Sequence, residues 1–192
     1  MLDVIALASQ PTGSPIPPLV RDSIELFLNA VMPSLFRPVN ETSLSNILGM
    51  VALVMDRTNL PVVVRTQVGI VFLTMFISRA HHLKDGAHAS ESDLGHWSNL
   101  YQRLFDTLEP HFPYLFQTPV TSEEDRYVWQ FLAAMGLGAS PEQQQRLVIG
   151  VKERVMETVS LSRSLPADVA APRLASVNLF MHAIGLDTDL LD

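Results

Sequence analysis

The sequence predicts an all-α protein of about seven helices. Three observations carry that reading. Apolar residues recur at steps of three and four through long runs, as one face of a helix requires. The breaks between runs hold Pro, Gly or capping residues. No run alternates apolar and polar residues between hairpin-type turns. The first nine residues are apolar, and Gln10 to Pro18 then holds four prolines, which reads as a linker. Leu19 to Phe36 places Leu19, Ile24, Phe27, Leu28, Val31 and Leu35 close to helical spacing, with Pro33 and Pro38 bending or ending it. Thr42 or Ser43 caps a second helix that reaches about Asp56, and Asn59-Leu60-Pro61 breaks it.

Val62 to Leu83 is the third helix, the most apolar and the one expected to be most buried. Its valines suit a strand, but more than twenty residues without a turn signal favour a helix. His81 to Ser90 reads as a polar loop. The fourth helix spans about Glu91 to Leu108, with Leu94, Trp97, Tyr101, Leu104 and Leu108 in register, and Pro110 and Pro113 end it. The fifth starts near Thr121, where Thr121 and Glu124 form a capping box, and runs to Gly136 or Gly138. The sixth opens on Ser140-Pro141-Glu142-Gln143: a cap, a first-turn proline and a glutamine able to reach back to the cap. It continues to about Ser162. The seventh runs from about Pro172 to Ile184 and is closed by Gly185.

A chain of 192 residues can bury a real core, and its 47% hydrophobic and 17% charged content excludes a disordered tail as the main content. Cysteine is absent, so disulfides and thiolate metal sites are excluded. Met1-Leu2-Asp3 carries an acid where a secretory signal would carry Lys or Arg, so no secretion signal is expected. Thr66 to Ser78 is uncharged over thirteen residues, short of the roughly twenty that span a bilayer, and reads as a buried helix. The net charge of −7 falls in the second half: residues 91–192 hold seven basic against fourteen acidic side chains, while residues 1–90 balance six against six. A general basic platform for nucleic acid is therefore not expected. Eleven of the thirteen basic residues are arginines, which suit specific, partly desolvated contacts.

No constellation carries catalysis. No serine sits in a nucleophile elbow and no Gly-rich loop follows a strand. His81, His82, Asp85, His88, Asp93 and His96 are dense, but only Asp93 and His96 have a helical pair spacing, so a solvated loop is the reading and no metal is expected. Glu123-Glu124-Asp125 fits first-turn acids favoured by the helix dipole. Trp97 and Tyr101 share one helix face as core residues or as interface anchors. Arg65 and Arg79 are fourteen residues apart, roughly 21 Å along one stripe. They cap and pair across helices, or they grip carboxylates, carbonyls or phosphates. The candidate partner- or RNA-binding residues are thus Arg57, Arg65, Arg79, Arg103, Trp97 and Tyr101, on a groove in the first four helices where acid is not in excess. With thirteen basic residues against twenty acids, any RNA contact is expected to be weak and salt-dependent.

Several stretches carry a resemblance: Ser78-Arg79-Ala80, Trp97 through Tyr101-Gln102-Arg103-Leu104-Phe105, Leu108-Glu109, Val128-Trp129-Gln130-Phe131-Leu132-Ala133, the Glu142-Gln143-Gln144-Gln145 run, and Val177-Asn178-Leu179-Phe180-Met181-His182. From about Leu19 to Asp187 the chain resembles the C-terminal helical domain of the PAT-type topoisomerase-II-associated proteins, activators of mRNA decapping. The resemblance implies an α–α superhelix of stacked antiparallel helices. It divides the chain into a residual upstream element and Pro-rich linker at 1–18 and a helical domain at 19–192, truncated at its N-terminal side. It further implies a non-enzymatic cytoplasmic adaptor of P-bodies, also able to enter the nucleus, with no cofactor, no membrane and no small-molecule substrate. Its implied partners are the like-Sm ring, the leucine-rich helical motifs of the decapping enzyme and the 5′-to-3′ exonuclease, and RNA, bound weakly. The alternative from another class is a helical protein enclosing an apolar small molecule.

Overall fold

The computed structural model describes residues 41–57, 60–85 and 91–186, and every regular element among them is helical. The order is α1 (Glu41–Asp56), α2 (Val62–Asp85), α3 (Glu91–Leu108), a 3-10 turn (Glu109–His111), a single helical turn α4 (Phe112–Leu115), α5 (Asp125–Gly138), α6 (Pro141–Ser162) and α7 (Ala167–Ala183). The helix expected over Leu19–Phe36, and the 1–18 linker, lie outside the described residues.

The core is one cluster threaded by α5, whose Val128, Trp129, Phe131, Leu132 and Met135 are fully buried. Its inner stripe packs on α2 on one side and α7 on the other, so this fourteen-residue helix joins the front helices to the rear ones. The α2 run packs against α1, α3 and α5, which explains a helix apolar nearly all round: neighbours on several sides cover it. Within it Phe72 and Leu73 are fully buried, and no described helix is long and apolar enough to cross a membrane. At the α2–α5 crossing the Phe131 ring lies so close to the Gly69 backbone that a Cβ at Gly69 would overlap it.

Local chemistry explains the helix ends. The Ser140 hydroxyl accepts from the Gln143 N–H at 3.3 Å, and the Gln143 carboxamide accepts from the Ser140 N–H at 3.0 Å, the reciprocal capping box the sequence implies. Gly185 closes α7 with φ at +73°, and the Leu186 N–H reaches back to the Met181 carbonyl. Four boundaries differ from expectation. Thr42 and Ser43 lie inside α1 rather than capping it, and α2 continues through His81, His82 and Asp85, which therefore belong to a helix and not to a loop. There is no Thr121–Glu124 capping box: the Ser122 hydroxyl instead accepts from the Glu124 N–H, and α5 starts at Asp125 without a side-chain cap. Finally, α7 begins at Ala167, five residues before Pro172. The Pro166 carbonyl starts it by accepting from Val169 and Ala170, and Pro172 forfeits only a bond to Asp168 on an exposed turn.

Candidate functional site

Two prolines shape the corner from which the candidate surface is built. Pro110 and Pro113 each sit in a first-turn position, where the absent N–H costs nothing, so the chain turns through the 3-10 segment into α4. Phe112 and Leu115 point into the core, and Phe112 meets Phe131 edge-on with ring centroids 6.4 Å apart. Beyond Phe116 the chain leaves helical geometry until Asp125, and this connection needs partners for its carbonyls.

Arginines from the two last helices supply them. Arg154 of α6 donates to the carbonyls of Phe116 (3.1 Å) and Thr118 (2.8 Å), and its guanidinium lies 5.1 Å from the centre of the Phe116 ring. It also pairs with the Asp125 carboxylate, whose other oxygen accepts from the Trp129 indole N–H at 2.8 Å. Both members of the ion pair are 5% exposed. Burial pushes the Asp125 carboxyl up, and the charge and hydrogen bonds of Arg154 oppose that push. Arg173 of α7 donates to the carbonyls of Val120 and Thr121, the latter at 2.8 Å. The 116–124 connection is thereby fixed from below by α6 and from the side by α7.

An open cleft of about 630 Å³ lies beside this connection, between the N-terminal halves of α5 and α7. Its polar wall is Glu123, Asp125, Arg126, Gln130 and Arg173 with the hydroxyls of Ser122 and Ser176, and Val169 and Pro172 supply apolar surface.

The outer face of α6 is the second feature. Its buried stripe is Gln143, Leu147, Val151, Arg154, Thr158 and Ser162, polar at four of six positions. Its outward positions include Ile149 and Met156, 69% and 63% exposed, with Val148 beside them. Ionic contacts help to hold the helix: Arg146 pairs with Glu109 and, at 3.0 Å, with Asp106. A helix with polar residues inward and large apolar residues outward presents surface that water covers poorly.

The residues singled out from sequence fall in different places. Arg57 is exposed just past α1. Arg65, expected at a groove rim, is 6% exposed and reaches the Met55 carbonyl at 3.4 Å, so it satisfies the end of α1 from inside the core. Burial lowers its pKa. Tyr101 is likewise interior: its hydroxyl donates to the Met135 carbonyl at 2.6 Å, and burial pushes its pKa up. Arg103 is half-buried on α3. Arg79 and Trp97 lie on α2 and α3, and their side chains fall outside what the structure describes. The structure thus does not gather the front arginines into one surface that includes Arg65. It gathers Arg126, Arg154 and Arg173, none of which is among the sequence candidates. One signal points to Arg154: it falls in the stripe Leu147, Val151, Arg154, Thr158, spaced by four, three and four. Among the described residues no three His, Asp or Glu side chains are grouped to hold a metal ion.

Known proteins agree with the family resemblance. The chain is 32% identical over 188 residues to the deadenylation-dependent mRNA-decapping factor pdc2 of Schizosaccharomyces pombe, covering 97% of this chain and 25% of that protein. It is 22% identical over 181 residues to the deadenylation-dependent mRNA-decapping factor PAT1 of Saccharomyces cerevisiae, covering 85% of this chain and 23% of that protein. The chain therefore spans about a quarter of the length of the curated relatives it matches. No solved structure matches it. The family profile described as "Topoisomerase II-associated protein PAT1" matches residues 1–189, and the chain belongs to that family.

Proposed function

We propose that this chain is a non-catalytic adaptor module of mRNA decay that promotes decapping by holding other proteins on its helical surface. The observation that carries the reading is the outer face of α6, where Ile149 and Met156 stand in solvent while Arg154 and Thr158 are buried. Two relatives named as mRNA-decapping factors give that surface its context. The partners proposed are the like-Sm ring and leucine-rich helical motifs of the decapping enzyme and the exonuclease, acting in the cytoplasm and its P-bodies. An amphipathic helix laid against exposed apolar side chains is the recognition mode such a surface suits. Arg57, Arg79 and Arg103 are the proposed contacts for weak RNA binding, with Trp97 as an anchor beside them. The alternative of an enclosed apolar ligand finds no support in the cleft at α5 and α7, which is open and bordered by Arg126, Arg173 and Glu123.

Affinity capture from cell extract tests the proposal. The folded chain should recover decapping factors, and the Ile149→Glu/Met156→Glu variant should recover far less. Recovery of none of them by a wild-type chain shown to be folded removes the adaptor reading.

A further inference from the structure

We propose that the cleft between the N-terminal halves of α5 and α7 binds an oxyanion-bearing side chain, carboxylate or phosphoryl, of an extended peptide segment. The proposal rests on the adaptor reading and assigns that adaptor a second, chemically distinct subsite.

Charge is the first ground. The chain carries −7 overall and its acids are concentrated in the second half, yet the cleft wall reverses that balance. Asp125 also lines the cleft, where Arg154 pairs with it from behind and the Arg173 charge adds to its compensation, so these three side chains together remain one positive charge in excess. Among the remaining lining side chains, Arg126 sets one positive charge against one negative charge from Glu123, so that excess stands. Preorganisation is the second ground. Arg173 donates to the Val120 and Thr121 carbonyls, so its guanidinium is held at the wall before any ligand arrives. A guanidinium carries five N–H donors in a rigid fork suited to carboxylate and phosphate. Arg126 is oriented on the other side, its Nη2 donating to the Tyr127 hydroxyl at 2.9 Å with the guanidinium 4.8 Å from that ring centre.

Shape and lining select the ligand class. About 630 Å³ accommodates two or three residues of extended chain and exceeds what a single free anion fills. Val169 and Pro172 offer small apolar contacts for the residues flanking the anion, and among the described residues no aromatic ring lines the cleft. Single-stranded nucleic acid is held by stacking on aromatic side chains along a basic groove, and this cleft offers neither the rings nor an unbroken positive wall. A peptide is the better fit.

The test is an amide NMR titration of the isotope-labelled full chain with end-blocked tripeptides: Ala-phosphoserine-Pro, Ala-Asp-Pro and Ala-Ser-Pro. Inorganic phosphate and an oligouridylate are titrated alongside. Expected are saturable shifts at Ser122, Arg126, Arg173 and Ser176 with one or both acidic peptides and none with the serine peptide. The apparent affinity should fall about tenfold between about 50 and about 300 mM salt. Val169→Glu adds a like charge at an exposed cleft position without touching the Arg173 contacts. It should weaken binding at least about tenfold with an unchanged melting temperature. Shifts at those four residues that are absent, or equal for the serine peptide, overturn the proposal. So does tighter oligouridylate binding at the same residues, phosphate binding as well as the peptides do, or a Val169→Glu variant that binds normally. Capture of decapping factors by a chain showing no cleft shifts sinks the cleft alone; cleft shifts without capture sink the adaptor reading alone.

Discussion

Arg154 and Asp125 form an ion pair that is 5% exposed on both sides, and they join the middle of α6 to the first residue of α5. The pair is also a hub, because Arg154 holds the Phe116 and Thr118 carbonyls while Asp125 holds the Trp129 indole. Replacing Arg154 with Met should cost about 3–5 kcal/mol, since it strands a buried carboxylate and leaves carbonyls without a donor. Urea unfolding gives the number. A loss below about 1 kcal/mol would mean that water reaches Asp125 and compensates.

Little of that hub is legible in the sequence, and the reason is physical. Arg154 finds its partners 29, 36 and 38 residues away, so no local spacing announces them. Asp125 reads as one of three first-turn acids and turns out to be the one that faces inward. Charge counting places the useful arginines, Arg57, Arg65, Arg79 and Arg103, in the first four helices because it treats the acids of the second half as one field. Folding pairs them individually: Glu109 and Asp106 with Arg146, Asp125 with Arg154. What depends on neighbours in sequence is readable, as in the Ser140–Gln143 box, the Gly185 stop and the buried Tyr101, Leu104 and Leu108 register of α3. The α7 start is not, because Pro172 resembles a helix opening whether or not a helix has already begun.

The Tyr101 hydroxyl bond to the Met135 carbonyl predicts a structural phenotype. Tyr101→Phe keeps the ring and removes the donor, leaving a buried carbonyl unmet, and should cost about 1–2 kcal/mol. Denaturant midpoints check it, and partner capture should be unchanged at a temperature where the variant is folded. Failed capture by a stable Tyr101→Phe chain would return this residue to the binding surface.

The close α2–α5 crossing predicts an overpacking effect. Gly69→Ala places a methyl group into the Phe131 ring and should destabilise by about 1–3 kcal/mol despite the better helix propensity of alanine. Phe131→Leu, itself destabilising, should cost less in the Gly69→Ala background than alone, because the two positions share one space. Strict additivity of the two losses would contradict the crossing geometry.

RNA affinity should be low and set by few phosphate pairings. Charge reversal at exposed Arg57 together with Arg103 should flatten the salt dependence of oligouridylate binding, by about one unit of slope for each arginine–phosphate pairing abolished. Fluorescence anisotropy across a salt series measures that slope. Unchanged affinity and slope would remove these two residues from the RNA-binding surface.

The outer face of α6 carries the most direct prediction. Ile149 and Met156 are seven residues apart, two turns along the same exposed line, with Lys152 between them. Ile149→Glu and Met156→Glu together remove no buried side chain, so stability should move by no more than about 0.5 kcal/mol for each substitution. Anchors of this kind dominate peptide-helix binding, and burying one such side chain contributes about 1.5–3 kcal/mol. Removing both should therefore weaken a leucine-rich partner helix at least about a hundredfold, allowing about 1.4 kcal/mol for each factor of ten. Isothermal titration with the partner peptide checks the effect, and Ile149→Leu should retain binding because it keeps the volume. A double variant that binds like wild type would show that the partner sits elsewhere, and a collapsed melt would show that these side chains are covered within the fold.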